Sequence, residues 1–143
     1  MRVVADTNVV ISGLLWGGPP NQIMKWARDG RLEILACERT AEELRRVIQY
    51  EKFLQRLSVL NVTPQEFFAY FMNLAHFVPD LEKIPNVIKA DRFDNIFLAM
   101  AQTHHAHLIT SGDRHLLKLK QYRSIEIVTP SEAVQVIENV WKA

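Results

Sequence analysis

The sequence contains one cysteine, Cys37, and no long apolar run. A lone cysteine excludes an internal disulfide and a cysteine-rich zinc site, and it predicts a reducing, cytoplasmic setting. No stretch approaches the roughly 18 apolar residues that span a membrane, and the N-terminus lacks a secretory signal pattern, so we expect no membrane partner. The net charge of +1 gives little overall attraction for nucleic acid, which would have to bind through local basic patches.

Several common catalytic motifs are also absent. The sequence has no P-loop, no dinucleotide-binding glycine fingerprint and no Gly-x-Ser-x-Gly nucleophile elbow. Hydrophobic side chains, in contrast, make up 48% of the 143 residues. This content is enough for a sizeable core, and the length predicts a single domain over residues 1–143.

Short apolar runs predict four buried strands, near residues 2–6, 32–36, 107–111 and 125–128. Segments with helical periodicity lie between these runs. Such alternation predicts βαβ units and therefore an α/β fold, in which a central parallel sheet lies between two layers of helices as a three-layer α/β/α sandwich.

Helix starts are marked by Thr-x-x-Glu capping boxes, which we predict at Thr40 to Glu43, Thr63 to Glu66 and Thr129 to Glu132. The region from 50 to 77 is predicted to be helical and is rich in aromatic residues. One interpretation places all of these rings in the core. The other divides them between the core and a contact surface, such as one for a second subunit.

Acidic residues follow or flank the predicted strands. Asp6 comes directly after Val3-Val4-Ala5, at the edge of a buried sheet, where an unpaired charge is costly. A structural alternative is a turn, which Asp and Asn both favour. Thr7 and Asn8 follow it and are candidates to support Asp6 or to bind a water molecule or a phosphate.

Glu43 is the candidate acid of the next predicted helix. Its alternative role is to complete the capping box with Thr40. Glu42 lies four residues before Arg46 and is expected to form a solvated pair with it. Glu43 shares a helix face with Val47, so we prefer Glu43 to Glu42 as the site residue.

Asp91 and Asp94 lie three residues apart at a predicted helix start, and hence on one face. The alternative is that Asp91 caps the helix and Asp94 complements its dipole. Asp113 follows the third apolar run, with Ser111 able to reach the same place. Its alternative role is also to cap a helix.

Together, these acids predict one oxygen-only cluster, because ligand sites in open α/β sheets lie at the carboxyl ends of the strands. Carboxylates brought together repel one another unless a cation is bound. Carboxylates and water select Mg²⁺ or Mn²⁺ rather than zinc. Such a site can activate water and neutralise charge on a phosphodiester.

The motifs, taken in order, resemble the PIN-domain family, and specifically the branch described as VapC-type toxins of toxin–antitoxin pairs. The resemblance covers nearly the whole chain. It is carried by Asp6-Thr7-Asn8 with Gly17-Gly18-Pro19-Pro20, by Glu42-Glu43-Leu44, by Asp91-x-x-Asp94, and by Ser111-Gly112-Asp113.

The resemblance implies a Mg²⁺- or Mn²⁺-dependent endoribonuclease that cuts single-stranded or structured RNA. By position, the metal-binding and catalytic acids are Asp6, Glu43, Asp94 and Asp113, with Asp91 as an extra acid and Ser111 as the neighbouring hydroxyl. We expect Asp6, Asp94 and Asp113 to hold the ion and Glu43 to orient or deprotonate water. The resemblance also implies a homodimer or higher homo-oligomer and a cognate antitoxin that covers the acidic pocket.

Two other functions are compatible with parts of the pattern. A non-catalytic PIN-like RNA-binding or regulatory module would keep the fold and use the pocket only for binding. A receiver-type phosphotransfer domain also places acids at strand ends, but it needs a Lys after a late strand. The run at 125–128 is followed by Thr129-Pro130 instead.

Overall fold

Six strands form one mixed sheet in the computed structural model, which describes residues 1–142. In chain order, the strands are β1 (Arg2–Ala5), β2 (Glu33–Ala36), β3 (His76–Phe77), β4 (Leu108–Thr110), β5 (Gln121–Tyr122) and β6 (Ile125–Val128). The order across the sheet is β3-β2-β1-β4-β6-β5. All neighbouring pairs are parallel except β5 with β6. The four strands predicted from the apolar runs are therefore confirmed.

The two strands that the sequence did not predict lie at the edges of the sheet and have two residues each. Such short strands bury too little to produce an apolar run. β5 joins β6 through Arg123 and Ser124, whose φ angles of 50° and 70° are those of a tight hairpin turn. The predicted all-parallel sheet is accordingly mixed at this edge.

Helices cover both faces of the sheet, which confirms the α/β/α sandwich. They are α1 (Thr7–Leu15), α2 (Pro19–Arg28), α3 (Glu38–Val47), α4 (Glu51–Leu60), α5 (Pro64–Leu74), α6 (Asp94–Thr103), α7 (Arg114–Leu117) and α8 (Pro130–Lys142). Alternate residues of β1 face opposite layers, with Val3 and Ala5 in one apolar cluster and Val4 in the other. Within residues 1–142, no helix has the length and apolar content that a membrane crossing requires.

The strand order places a crevice between β1 and β4. Without the antiparallel strand β5, the order is β3-β2-β1-β4-β6, which is 3-2-1-4-5 when the five parallel strands are numbered along the chain. The order reverses direction between β1 and β4. Ligands bind outside the carboxyl ends of strands at such a reversal. A receiver domain has the order 2-1-3-4-5, so the receiver interpretation is wrong for this sheet.

Two of the three predicted capping boxes are confirmed. Thr63 accepts from Glu66 N at 3.0 Å while Glu66 accepts from Thr63 N at 3.1 Å, and Thr129 and Glu132 make the same reciprocal pair. The box predicted at Thr40 is wrong. α3 begins at Glu38, so Thr40 lies inside its first turn, where its hydroxyl accepts from Cys37 N at 2.9 Å.

The aromatic region divides into two helices, α4 and α5, which are separated at Asn61 in the left-handed conformation. Phe53, Phe67 and Phe71 are buried, whereas Tyr50 and Tyr70 are 45% and 46% exposed. The rings therefore serve both the core and a surface. A second-subunit contact remains a prediction.

Gly13 sets how closely α1 approaches α2. A Cβ at this position would lie 2.6 Å from Pro20 O and 2.7 Å from Met24 Cγ. We expect Gly13→Ala to destabilise the protein by about 1–3 kcal/mol, although alanine is the better helix former, because the α2 backbone would have to move. Urea unfolding checks this prediction. The matched control is Gly17→Ala, where a Cβ meets nothing within 4 Å.

Candidate metal centre

Asp6 lies at the carboxyl end of β1 and is the N-cap of α1. Its backbone N–H donates to Thr110 O, which fixes it beside β4. Its Oδ1 accepts from Val9 N at 2.9 Å, and its Oδ2 accepts from the hydroxyl of Ser111. The carboxylate is buried, with 6% of the residue exposed. The structural alternative is thus met by a helix cap rather than a turn, and the site role of Asp6 remains a prediction.

Ser111 links the ends of the two central strands. It is fully buried, and while its hydroxyl donates to Asp6 it also accepts from Asp113 N at 2.9 Å. Asp113 caps α7, since its Oδ1 accepts from His115 N at 2.7 Å. One hydroxyl thus fixes the spacing between two acids that are 107 residues apart in sequence. The alternative role of Asp113 as a helix cap is therefore confirmed, and its role as a metal ligand remains a prediction.

Asp94 is the first residue of α6 and is also buried, with 6% exposed. Its Oδ2 has no hydrogen-bond partner among the described residues. A buried carboxylate oxygen without a partner is costly and calls for an explanation such as a bound ion.

Asp94 belongs to a compact acidic trio. Asp91, Asp94 and Asp113 each offer a carboxylate oxygen, and these oxygens lie within 4.8 Å of one another. Asp91 is exposed and its Oδ1 accepts from Phe93 N at 3.0 Å. The sequence assigned Asp91 a supporting place, whereas the structure puts it in the trio. Asp6 lies beside the trio through Ser111, and its place among the metal ligands remains a prediction.

Glu43 is directed towards the same acids. Its side chain is 16% exposed, and its charge is one of those that act on Asp94. Both of its oxygens accept from Nη2 of Arg46, at 2.9 and 2.8 Å. The predicted pair of Glu42 with Arg46 is wrong, because Glu42 is solvated and lies 3.8 Å from Arg45 instead. The sequence pattern placed the start of this helix at Thr40, three residues after the true N-cap, Cys37.

Thr7 and Asn8 are placed differently from each other. Thr7 lines a cavity of about 10 Å³ inside the core, together with Ala5 and Val10. Asn8 is exposed in the first turn of α1. Neither side chain forms a hydrogen bond to the acids in the described part of the chain, so their supporting role remains a prediction.

Asn95 is a positioning residue that the sequence analysis missed. It is 2% exposed, its Oδ1 accepts from Val87 N and Ile88 N, and its Nδ2 donates to the carbonyl oxygens of Ile88 and Arg92. These bonds hold the segment that leads to Asp91. The signal in the sequence was the side-chain amide of Asn95 directly before the apolar run of α6.

The electrostatics of the cluster reflect its burial and crowding. Burial raises the pKa of Asp94 to about 7, with further increases from the charges of Asp113, Asp91, Asp6 and Glu43. Burial also raises the pKa of Asp6, opposed by the hydrogen bonds from Ser111 and Val9. The charges that raise the pKa of Asp94 are all those of carboxylates.

The residues present fit a hard divalent cation. All of the donor atoms are carboxylate or hydroxyl oxygens, which suit Mg²⁺ or Mn²⁺. The buried Oδ2 of Asp94 has no hydrogen-bond partner among the described residues and is free to bind a cation. The trio offers one oxygen from each of three side chains and leaves further positions to water.

Acids at the carboxyl ends of parallel strands, where the strand order reverses, define an open α/β domain with an oxygen-rich cluster that could hold a cation. A family model described as a PIN domain matches residues 2–115. The chain therefore belongs to the PIN domain family. Proteins with this domain are generally metal-dependent nucleases. A comparison with curated proteins found no match.

Ser111→Ala is expected to weaken Mn²⁺ binding about 10- to 100-fold. Mutations of residues that hydrogen-bond to metal ligands typically reduce metal affinity by this amount. The change removes the donor to Asp6 and the acceptor for Asp113 N at once. Calorimetric titration with Mn²⁺ measures the affinity. Ser131→Ala, an exposed serine of α8, is the control. An unchanged affinity would show that Ser111 does not position the ligands.

Proposed function

We propose that the protein is an endoribonuclease that hydrolyses RNA phosphodiester bonds at the acidic cluster with Mg²⁺ or Mn²⁺. The observation that carries this proposal is the unpartnered, buried Oδ2 of Asp94 among four other carboxylates. A cluster of this composition is destabilised by its own charge and is relieved by a doubly charged ion. Membership of a generally nucleolytic family supports the same conclusion.

Asp6, Asp94 and Asp113 would hold the ion, with Asp91 beside them. When bound, such an ion lowers the pKa of a coordinated water and neutralises charge on the phosphodiester. Ser111 keeps Asp6 and Asp113 at a fixed spacing through its two hydrogen bonds. This preorganisation limits the rearrangement that binding requires.

Glu43 would orient the attacking water or accept its proton. Nη2 of Arg46 donates to both oxygens of Glu43, and this contact holds the Glu43 carboxylate in one orientation. Arg46 therefore acts as a positioning residue for Glu43.

We propose further that the protein is the toxin of a toxin–antitoxin pair, that it acts in the cytoplasm, and that it forms a homodimer or higher homo-oligomer. An antitoxin would inhibit it by covering the acidic pocket with a basic side chain. The contact of Arg46 with Glu43 is a chemically similar pairing within the chain. Expression of the wild-type chain should arrest growth of a bacterial host, and Asp6→Asn should relieve the arrest.

The decisive experiment incubates purified protein with several end-labelled RNAs and Mn²⁺, beside an Asp6→Asn control. An asparagine at this position keeps an oxygen to accept from Val9 N, so the cap of α1 is retained. We expect wild-type protein to cleave and Asp6→Asn to be inactive. Equal, negligible cleavage by both proteins would favour a non-catalytic RNA-binding module.

A further inference from the structure

A strip of aromatic rings and cations extends from Glu43 along the surface. We call it the aromatic strip and define it by Arg46, Tyr50, Phe53 and Trp16, with Lys52 and Arg56 at its sides. It joins the end of α3, the first turns of α4 and the end of α1. None of these residues belongs to the acidic cluster, and the resemblance of the sequence to other proteins assigns them no role.

Direct contacts make the strip continuous. Arg46 bridges from Glu43 to Tyr50, donating through Nη1 to the Tyr50 hydroxyl at 2.8 Å. The ring of Tyr50 stacks on Phe53 at 6.5 Å between centroids, and Phe53 meets Trp16 edge to face at 6.3 Å. Phe53 is buried, so it acts as the support that fixes the two outer rings.

The outer rings are exposed and are flanked by positive charge. Trp16 and Tyr50 are 40% and 45% exposed. The Arg56 guanidinium lies 5.4 Å from the Trp16 ring, and the Lys52 ammonium lies 4.9 Å from Phe53. Among residues 1–142, neither Lys52 nor Arg56 forms a salt bridge. The one acid at the start of α4, Glu51, accepts from Gln55.

The strip continues into a groove of about 610 Å³ beside Glu43. This groove is lined by two arginines, four acids and two apolar side chains, namely Arg39, Arg46, Glu38, Glu42, Glu43, Asp80, Phe93 and Ile96. Arg46 belongs to both features, so a chain lying on the strip would continue into the groove beside Glu43. Exposed rings held at fixed positions with cations between them are what single strands of nucleic acid bind, since bases stack on the rings and phosphates pair with the cations.

We infer that the aromatic strip is the surface that holds an unpaired strand of RNA and directs it to the acidic cluster. The inference rests on the proposed nuclease function and specifies how its substrate binds. A duplex keeps its bases stacked inside and offers no free ring face to Trp16 or Tyr50. In a two-fold symmetric contact, a second copy of this chain would bring the cations of its own strip against Lys52 and Arg56, which disfavours such a contact here.

The test is the affinity of a fluorescent oligouridylate of about 12 nucleotides, measured by anisotropy in EDTA so that binding is separated from cleavage. We expect Trp16→Ala and Tyr50→Ala each to weaken binding about fivefold or more, in line with the loss of one stacked base. Trp16→Phe and Tyr50→Phe keep a ring and should retain most of the affinity. A duplex of the same length should bind wild-type protein and the alanine variants equally.

Tyr70→Ala is the matched control, because Tyr70 is equally exposed and lies beside Arg28, at the opposite end of α2 from Trp16. It should leave the affinity unchanged. Lys52→Gln should reduce the slope of log affinity against log salt by about 0.7, whereas Lys25→Gln should not change it.

The outcomes separate the strip from the nuclease proposal. If wild-type protein cleaves RNA while both alanine variants bind and cleave normally, the strip inference is wrong and the nuclease proposal stands. If no RNA is cleaved but the alanine variants still bind more weakly, the nuclease proposal fails alone. If the alanine variants convert a dimer into a monomer in light scattering without a change in RNA affinity, the strip is a self-interface, which also overturns the inference.

Discussion

Asp94→Asn is expected to reduce Mn²⁺-dependent RNA cleavage by more than about 100-fold and, at the same time, to stabilise the metal-free protein. Mutations of residues that only hydrogen-bond to a metal ligand commonly reduce metal affinity or activity about 10- to 100-fold. Asp94 is proposed as a direct ligand, so the loss of activity should be larger. The stabilisation has a separate cause, which is burial. The pKa of Asp94 rises to about 7 from an ordinary value of 3.8, so its ionised form is disfavoured in the folded protein.

The size of the stabilisation follows from that shift. A difference of this magnitude corresponds to roughly 4 kcal/mol of stability lost above a pH of about 8. Asparagine carries no charge, and its amide can donate to the carboxylates of Asp91 and Asp113. Urea unfolding of the two proteins in EDTA at a pH of about 8 measures the gain.

Asp29→Asn is the control for this prediction, because Asp29 is solvated at the end of α2 and pairs with Arg28. It should change neither cleavage nor stability by a comparable amount. A stability of Asp94→Asn equal to or below that of wild type would contradict the argument that this carboxylate is buried and crowded. Retained cleavage would contradict its role as a ligand.

Stabilisation by Mn²⁺ is expected to be small at a pH of about 5 and large at a pH of about 8. In the metal-free protein, the raised pKa of Asp94 means that the folded state binds more protons than the unfolded state between pH values of about 4 and 7. The contribution of Asp94 to stability is therefore fully present below about 4 and is lost as the pH rises through about 7. Asp6 acts in the same direction, since its pKa is also raised.

A divalent ion binds the ionised carboxylates, so it restores most stability where protons no longer occupy them. An excess of about 100 times the dissociation constant would give about 2.7 kcal/mol. Thermal unfolding with EDTA or with Mn²⁺ at the two pH values measures the difference, and Asp94→Asn should remove most of it. An equal stabilisation by Mn²⁺ at both pH values in wild type would show that the ion binds elsewhere.

Local patterns in the sequence were sufficient for most of the fold. Val3-Val4-Ala5 is apolar throughout because β1 is covered on both faces, and this kind of run identifies buried strands. The Thr63 and Thr129 caps were also readable, since a capping box involves residues only three positions apart. The Thr40 box failed because Cys37, directly after β2, begins the helix a turn earlier. The residue types of a capping box do not by themselves show at which of two nearby residues the helix begins.

The sequence by itself determined the order of the elements, the presence of acids at strand ends and helix starts, and the family that these motifs resemble. The preference for Glu43 over Glu42 already came from the sequence. Tertiary structure alone decided that Ser111 joins Asp6 to Asp113 and that Asp91 enters the trio. These outcomes depend on distances between residues far apart in the chain. Such distances are set by the β1–β4 register and by helix packing, which no local pattern encodes.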